Sequence, residues 1–92
     1  GFANSGQACV AGTRIIAPRS RLTEISEKLR METGKFKVGN PRDPEVRIGP
    51  LANAAQWERI QAYIRLGIDE GATLLTGGTG RPAGMEKGWF AR

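Results

Sequence analysis

Residues 1–15 read GFANSGQACVAGTRI and hold the only cysteine of the chain, Cys9. Gly6, Ala8, Ala11 and Gly12 crowd around it, Asn4 and Gln7 stand just upstream, and a run rich in β-branched residues, Thr13 to Ile16, follows. Thiolate attack on a carbonyl needs an approachable sulfur and nearby backbone N–H groups to receive the developing oxyanion. Small neighbours leave that approach open. A helix beginning near Cys9 would favour the thiolate through the positive end of its dipole. The plainer alternative is a buried structural cysteine beside a strand, because free cysteine is among the most buried residue types. Asn4 and Gln7 are assigned to shaping the loop. Amides do not titrate, so neither can serve as a general base.

Outward from this loop, Thr13 to Ala17 reads as a strand, since Ile15 and Ile16 are β-branched and Pro18 stops the ladder. Ser20 is a plausible N-cap, and Leu22, Ile25 and Leu29 recur at helical spacing. With Gly34 as the residue just past the end, a helix is predicted over about residues 21–33. Residues 39–50 are loop, punctuated by Gly39, Pro41, Pro44, Gly49 and Pro50, with a rigid turn around Arg42 and Asp43. Asn53 to Gln56 matches a capping box in its N-x-x-Q form. Trp57, Ile60, Ile64 and Ile68 follow at helical spacing, and Gly71 closes that helix. Ala72 to Thr76 reads as a short strand, and Trp89–Phe90 as the start of another. GGTGRPAG (77–84) lacks a following helix and the lysine–hydroxyl pair of a phosphate loop, so it is expected to be a solvent-exposed turn between strands. The order strand–helix–loop–helix–strand is an α/β pattern with an incomplete sheet.

Ninety-two residues make one domain at most, with a small core. No apolar run approaches a membrane span, and the first residues lack the basic-then-apolar pattern of a signal peptide. One cysteine excludes an intramolecular disulfide and fits a reducing compartment, so a cytoplasmic location is expected. With no histidine and one cysteine, a zinc site of the common type is not credible and no metal is expected. The net charge of +5 invites a nucleic-acid reading. Arg14, Arg19, Arg21, Lys28, Arg30, Lys35 and Lys37 are scattered, however, and no aromatic interleaving accompanies them. Neither nucleic acid nor membrane is therefore expected as a partner.

The opening run closely resembles the active-site cysteine signature of the aldehyde dehydrogenase superfamily, F-x-N-x-G-Q-x-C-x-A-G-[ST]-R. Phe2, Asn4, Gly6, Gln7, Cys9, Ala11, Gly12, Thr13 and Arg14 fall where that pattern wants them. KVGNPRDPEVRIGPL (37–51) resembles the family's K-V-G-[ND]-P-x-D-P…I-G-P-[LM] segment. QWERIQAYIRLGIDEGATLLTGG (56–78) is similar to its Q-x-x-[KR]-[IV]-x-x-Y-I-x-x-G…E-G-A-x-L-x-x-G-G segment. GWFAR (88–92) looks like the lead-in to a P-T-[VL] strand.

The resemblance implies an internal fragment, 1–92, of the cysteine-bearing catalytic domain, with the nucleotide-binding domain absent. It implies oxidation of an aldehyde to a carboxylic acid with NAD or NADP, Cys9 being the nucleophile through a thiohemiacetal and a thioester. The backbone N–H of Cys9 would form half of the oxyanion hole. Gln56 and Arg59 match the Gln and Lys/Arg that approach the adenosine ribose in members of the family. The family's catalytic glutamate, in an E-L-G-G-type motif, has no counterpart here, nor do the asparagine of the oxyanion hole and the E-[IV]-F-G-P glutamate. The implied partners are an aldehyde, the remaining segments of the parent enzyme and further copies in a homo-oligomer, and the chain alone is expected to be inactive. A non-catalytic structural or interaction relic is the alternative from another class, and a small basic nucleic-acid-binding module is a third.

Overall fold

The computed structural model describes residues 1–92, and its regular structure is two α-helices, α1 (Leu22–Gly34) and α2 (Ala54–Asp69). α2 begins as its sequence predicts. Asn53 Oδ1 accepts the backbone N–H of Gln56 at 3.0 Å, which satisfies one of the donors that a helix start leaves free. It also ends as predicted. Gly71 takes φ +90°, its N–H donates to Ile68 O at 3.0 Å, and the Ala72 N–H donates to Gly67 O at 2.9 Å. These two bonds are the Schellman pair, and the left-handed backbone they require is open to glycine at no steric cost.

α1 differs from expectation at both ends. A one-turn 3-10 helix, Arg19–Arg21, leads into it, and Arg21 stands at the cap with no side-chain capping bond, so Ser20 is not the N-cap. Gly34 is the last helical residue rather than a left-handed stop, and Lys35 follows with its N–H on Glu32 O at 3.2 Å. The exposed side of α1 carries ion pairs from Arg21 and Lys28 to Glu24.

The expected strands do not form. Thr13–Ala17, Ala72–Thr76 and Trp89–Phe90 belong to no ladder, and the one bridge is a parallel contact of Val38 with Ile48. A strand is a pairing relation, and β-branched residues favour it only where a neighbouring strand supplies partners. Within 1–92 these segments find none, so the strand–helix–loop–helix–strand order is corrected to two helices joined by structured loops. The turn over residues 40–46 is as tight as its prolines suggest. Asp43 N–H donates to Asn40 O at 2.9 Å, Val46 N–H to Asp43 O at 3.0 Å, and Gly39 N–H to Ile48 O at 3.0 Å.

No apolar side chain is fully buried. α1 and α2 do not pack on each other. The best-packed region is one face of α2, covered by residues 78–92. Gln61, 2% exposed, accepts the Gly80 N–H on its Oε1 at 2.6 Å. Gly78 is buried, and the Arg92 N–H donates to Gly80 O at 3.2 Å. The glycine loop is thus held against α2 at Gly78 and Gly80, while Gly77, Thr79, Ala83 and Gly84 stay exposed as its sequence suggests, and it joins no strands.

Candidate active site

Cys9 sits in a loop, not at a helix start. Upstream, the Phe2 ring packs on Phe36 with centroids 5.6 Å apart, which ties the beginning of the chain to the end of α1. Asn4, Ser5 and Gly6 then take φ of 52°, 53° and 75°. This left-handed stretch cannot continue as a right-handed helix. It is unusual for serine, which pays the Cβ clash that glycine avoids. The Gln7 N–H donates to Asn4 O at 3.1 Å, and the chain enters a β-turn closed by the Ala11 N–H on Ala8 O at 3.0 Å. Cys9 and Val10 are its two central residues. No helix begins at Cys9. The thiol is exposed, against the buried structural alternative, and the Cys9 backbone N–H makes no hydrogen bond within the chain.

Beside this loop lies a cleft of about 470 Å³. Ser5, Gly6 and Gln7 form one wall. Pro50 to Asn53 and the first turns of α2, through Gln56 and Ile60, form the other. The fold therefore brings Gln7 and Gln56, 49 positions apart in sequence, to the same cleft. Gln56 uses its backbone N–H in the cap and leaves its side-chain amide uncommitted. Cys9 follows Gln7 by two residues and lies outside the cleft lining, as does Arg59, which is exposed on α2 three residues after Gln56.

No residue lining the cleft is ionisable. The groups whose proton affinities move are elsewhere. Hydrogen bonds from Arg21 and then Lys28 pull the Glu24 carboxyl below its usual range, and Glu24 in turn raises Arg21. The Glu45 backbone N–H, followed by Lys37, does the same to Asp43. Glu24 is committed to its two cations and stands on α1, so it has no place as a base at Cys9.

A profile of the aldehyde dehydrogenase family matches residues 1–92. This chain belongs to the aldehyde dehydrogenase family. An aldehyde dehydrogenase of Staphylococcus saprophyticus, so named by inference, is 46% identical over 89 residues, which are 97% of this chain and 19% of that protein. Aldehyde dehydrogenase C of Pseudomonas syringae, solved as a Cys→Ala variant complexed with NAD+ and octanal, superposes with a TM-score of 0.92 at 45% identity. That superposition covers 99% of this chain and 19% of the solved one. An aldehyde dehydrogenase from Bartonella henselae superposes with a TM-score of 0.89 at 42% identity, covering 99% and 19%. The chain thus spans about a fifth of the length of these relatives, and its backbone follows the aldehyde dehydrogenase path over nearly all of its residues.

Sequence reasoning missed three features of this aldehyde dehydrogenase segment. The spacing places Trp57 in a helix stripe and Trp89 at a strand start, yet the two rings pair with centroids 6.4 Å apart. Arg81 lies over both rings. Gln61 interrupts the apolar stripe next to Ile60, and a lone amide there was the available signal for its buried bond to the glycine loop.

Proposed function

We propose that this chain supplies the nucleophile and one wall of the cofactor cleft of an NAD(P)-dependent aldehyde dehydrogenase. The observation that carries this reading is the exposed Cys9 thiol in a tight turn whose own backbone N–H is unpaired, in a chain of this family. The Cys9 thiolate adds to the aldehyde carbon, and the carbonyl π pair moves to oxygen as the thiohemiacetal oxyanion. The free Cys9 N–H is available to donate to that oxyanion, and a donor of this kind contributes about 3–4 kcal/mol where one has been removed from an enzyme. NAD(P)+, when bound, accepts the hydride that leaves the former aldehyde carbon. What remains on Cys9 is a thioester. Water adds to it as it gives a proton to the general base of the remaining segments, the C–S bond breaks, and the carboxylic acid leaves with the thiolate restored.

The cleft suits part of a dinucleotide. It offers the free amides of Gln7 and Gln56 and no charged group, and its volume lies in the range of small-molecule sites. Gln56 contacts the cofactor side from within the cleft, and Arg59 reaches it from the adjoining surface of α2. The general base, the second oxyanion donor and the nucleotide domain come from the remaining segments of the parent enzyme. So do the strands that pair with Thr13–Ala17 and Ala72–Thr76 and complete an α/β sheet. The parent works as a homo-oligomer, and a reducing compartment such as the cytoplasm keeps Cys9 a free thiol.

The test is Cys9→Ser in the full-length protein. Aldehyde oxidation is expected to be abolished while circular dichroism and nucleotide binding stay at the parental level. Substantial turnover by that variant overturns the assignment.

A further inference from the structure

We propose that Trp57, Arg81 and Trp89 form a positioning stack that sets the Gln56 wall of the cleft, and this rests on the reading of that cleft as the cofactor side. The Trp89–Phe90 backbone is the hinge of the arrangement. The Trp57 Nε1–H donates to Phe90 O at 2.8 Å, and the Leu51 backbone N–H donates to Trp89 O at 2.9 Å. Leu51 belongs to the loop wall of the cleft, and Trp57 is the residue next to Gln56 in the first turns of α2. One short piece of backbone therefore fixes the two parts of this one wall, the Pro50–Asn53 loop and the start of α2, relative to each other.

Arg81 locks that piece. Its guanidinium lies 4.6 Å from the Trp57 ring centroid and 5.2 Å from that of Trp89, and its Nε–H donates to Gly88 O at 3.1 Å. It has no carboxylate partner within ion-pair distance, so the two aromatic faces and the Gly88 carbonyl hold the cation. None of the three side chains lines the cleft. They act through Gln56 rather than on a ligand.

Three variants of the full-length enzyme test this: Gln56→Ala, Trp57→Phe and their double. Trp57→Phe keeps an aromatic ring and removes the N–H donor. Arg81→Lys is made beside it, since it keeps the charge and loses the flat stacking group, and so serves if Trp57→Phe does not fold. NAD+ and NADP+ are each titrated calorimetrically, and KM is measured for nucleotide and aldehyde. Gln56→Ala, Trp57→Phe and Arg81→Lys are each expected to weaken nucleotide binding about threefold to tenfold, with the aldehyde KM unchanged. The double variant is expected to bind no more weakly than Gln56→Ala alone, because residues acting through one contact are not additive. Losses that multiply in the double, or unchanged binding in both Trp57→Phe and Arg81→Lys while Gln56→Ala binds weakly, overturn the positioning role and leave the cofactor reading standing. Unchanged binding in Gln56→Ala overturns both.

Discussion

Arg59 is exposed on α2, forms no ion pair and stands three residues from Gln56, so its guanidinium is free to reach an anionic or ribose group over the cleft edge. In the full-length enzyme Arg59→Ala is expected to raise KM for NAD(P)+ more than KM for the aldehyde. An unchanged cofactor KM returns Arg59 to an ordinary surface charge. Asp43 has a different task. Its Oδ1 accepts the Glu45 N–H at 2.9 Å and its Oδ2 meets Lys37 Nζ at 3.1 Å, and both contacts favour the carboxylate. Its affinity for a proton is lowered on folding, chiefly by the Glu45 N–H and then by Lys37. The stabilisation is therefore complete above the usual aspartate range and is lost as pH falls through the lowered value. Amide-exchange protection of Glu45 and Val46 in the full-length protein is expected to persist at neutral pH and to fall on acidification. Asp43→Asn keeps the Oδ1 acceptor and is expected to flatten that pH dependence, and a profile identical to the parent's contradicts the assignment. Both carboxylate contacts are solvent-exposed, so the effect is local and screened by salt.

At the scale of the element, α2 is specified at both ends and α1 at neither. The Asn53 cap and the Gly71 Schellman turn define a helix of 16 residues, whereas α1 frays from a 3-10 turn and ends on an uncommitted glycine. Removing the α2 cap with Asn53→Ala is expected to cost about 1 kcal/mol. The readout is faster amide exchange at Gln56 and Trp57 in the full-length protein, restored by Asn53→Ser. Because Asn53 also borders the cleft, the same change is expected to loosen the Gln56 wall. Equal exchange in Asn53→Ala and parent means that packing against residues 78–92, not the cap, holds the first turn.

For the whole molecule, area decides the matter. The chain exposes 7491 Å², against about 5,200 Å² for a compact monomer of its mass. Its radius of gyration is 14.1 Å, against about 12 Å for a globule of its length. Val10 and Ile16 are 91% and 92% exposed. A shallow apolar groove runs along the end of α2, lined by Tyr63, Ile64, Ile68 and Leu74. Burial of this kind of surface is the main favourable term in folding, and here little of it is realised. The 92-residue chain by itself is therefore expected to be marginally stable or to self-associate, and neither to oxidise aldehydes nor to bind NAD(P)+ with useful affinity. Positioning accounts for about 7–11 kcal/mol in well-oriented reactions, and one thiol with one backbone donor cannot supply it. Sedimentation of the isolated chain, calorimetric titration with NAD+ and assays on simple aldehydes check this. Saturable micromolar binding with turnover contradicts it.

The sequence by itself determined what is local or written in motif. The order of residues around Cys9 carried the family. The Asn53 cap, the Gly71 stop, the apolar spacing of α2 and the proline-locked turn at 40–46 were legible because each depends on contacts within a few residues. Tertiary structure decided whatever depends on partners distant in the chain. It denied strand pairing to Thr13–Ala17 and Ala72–Thr76, since a ladder needs a second strand that these residues do not supply to one another. It put Cys9 in a turn, because left-handed Asn4 and Ser5 turn the chain away from a helix. It brought Gln7 and Gln56 to one cleft and closed Arg81 over Trp57 and Trp89, arrangements that no periodicity encodes because they join segments distant in the chain.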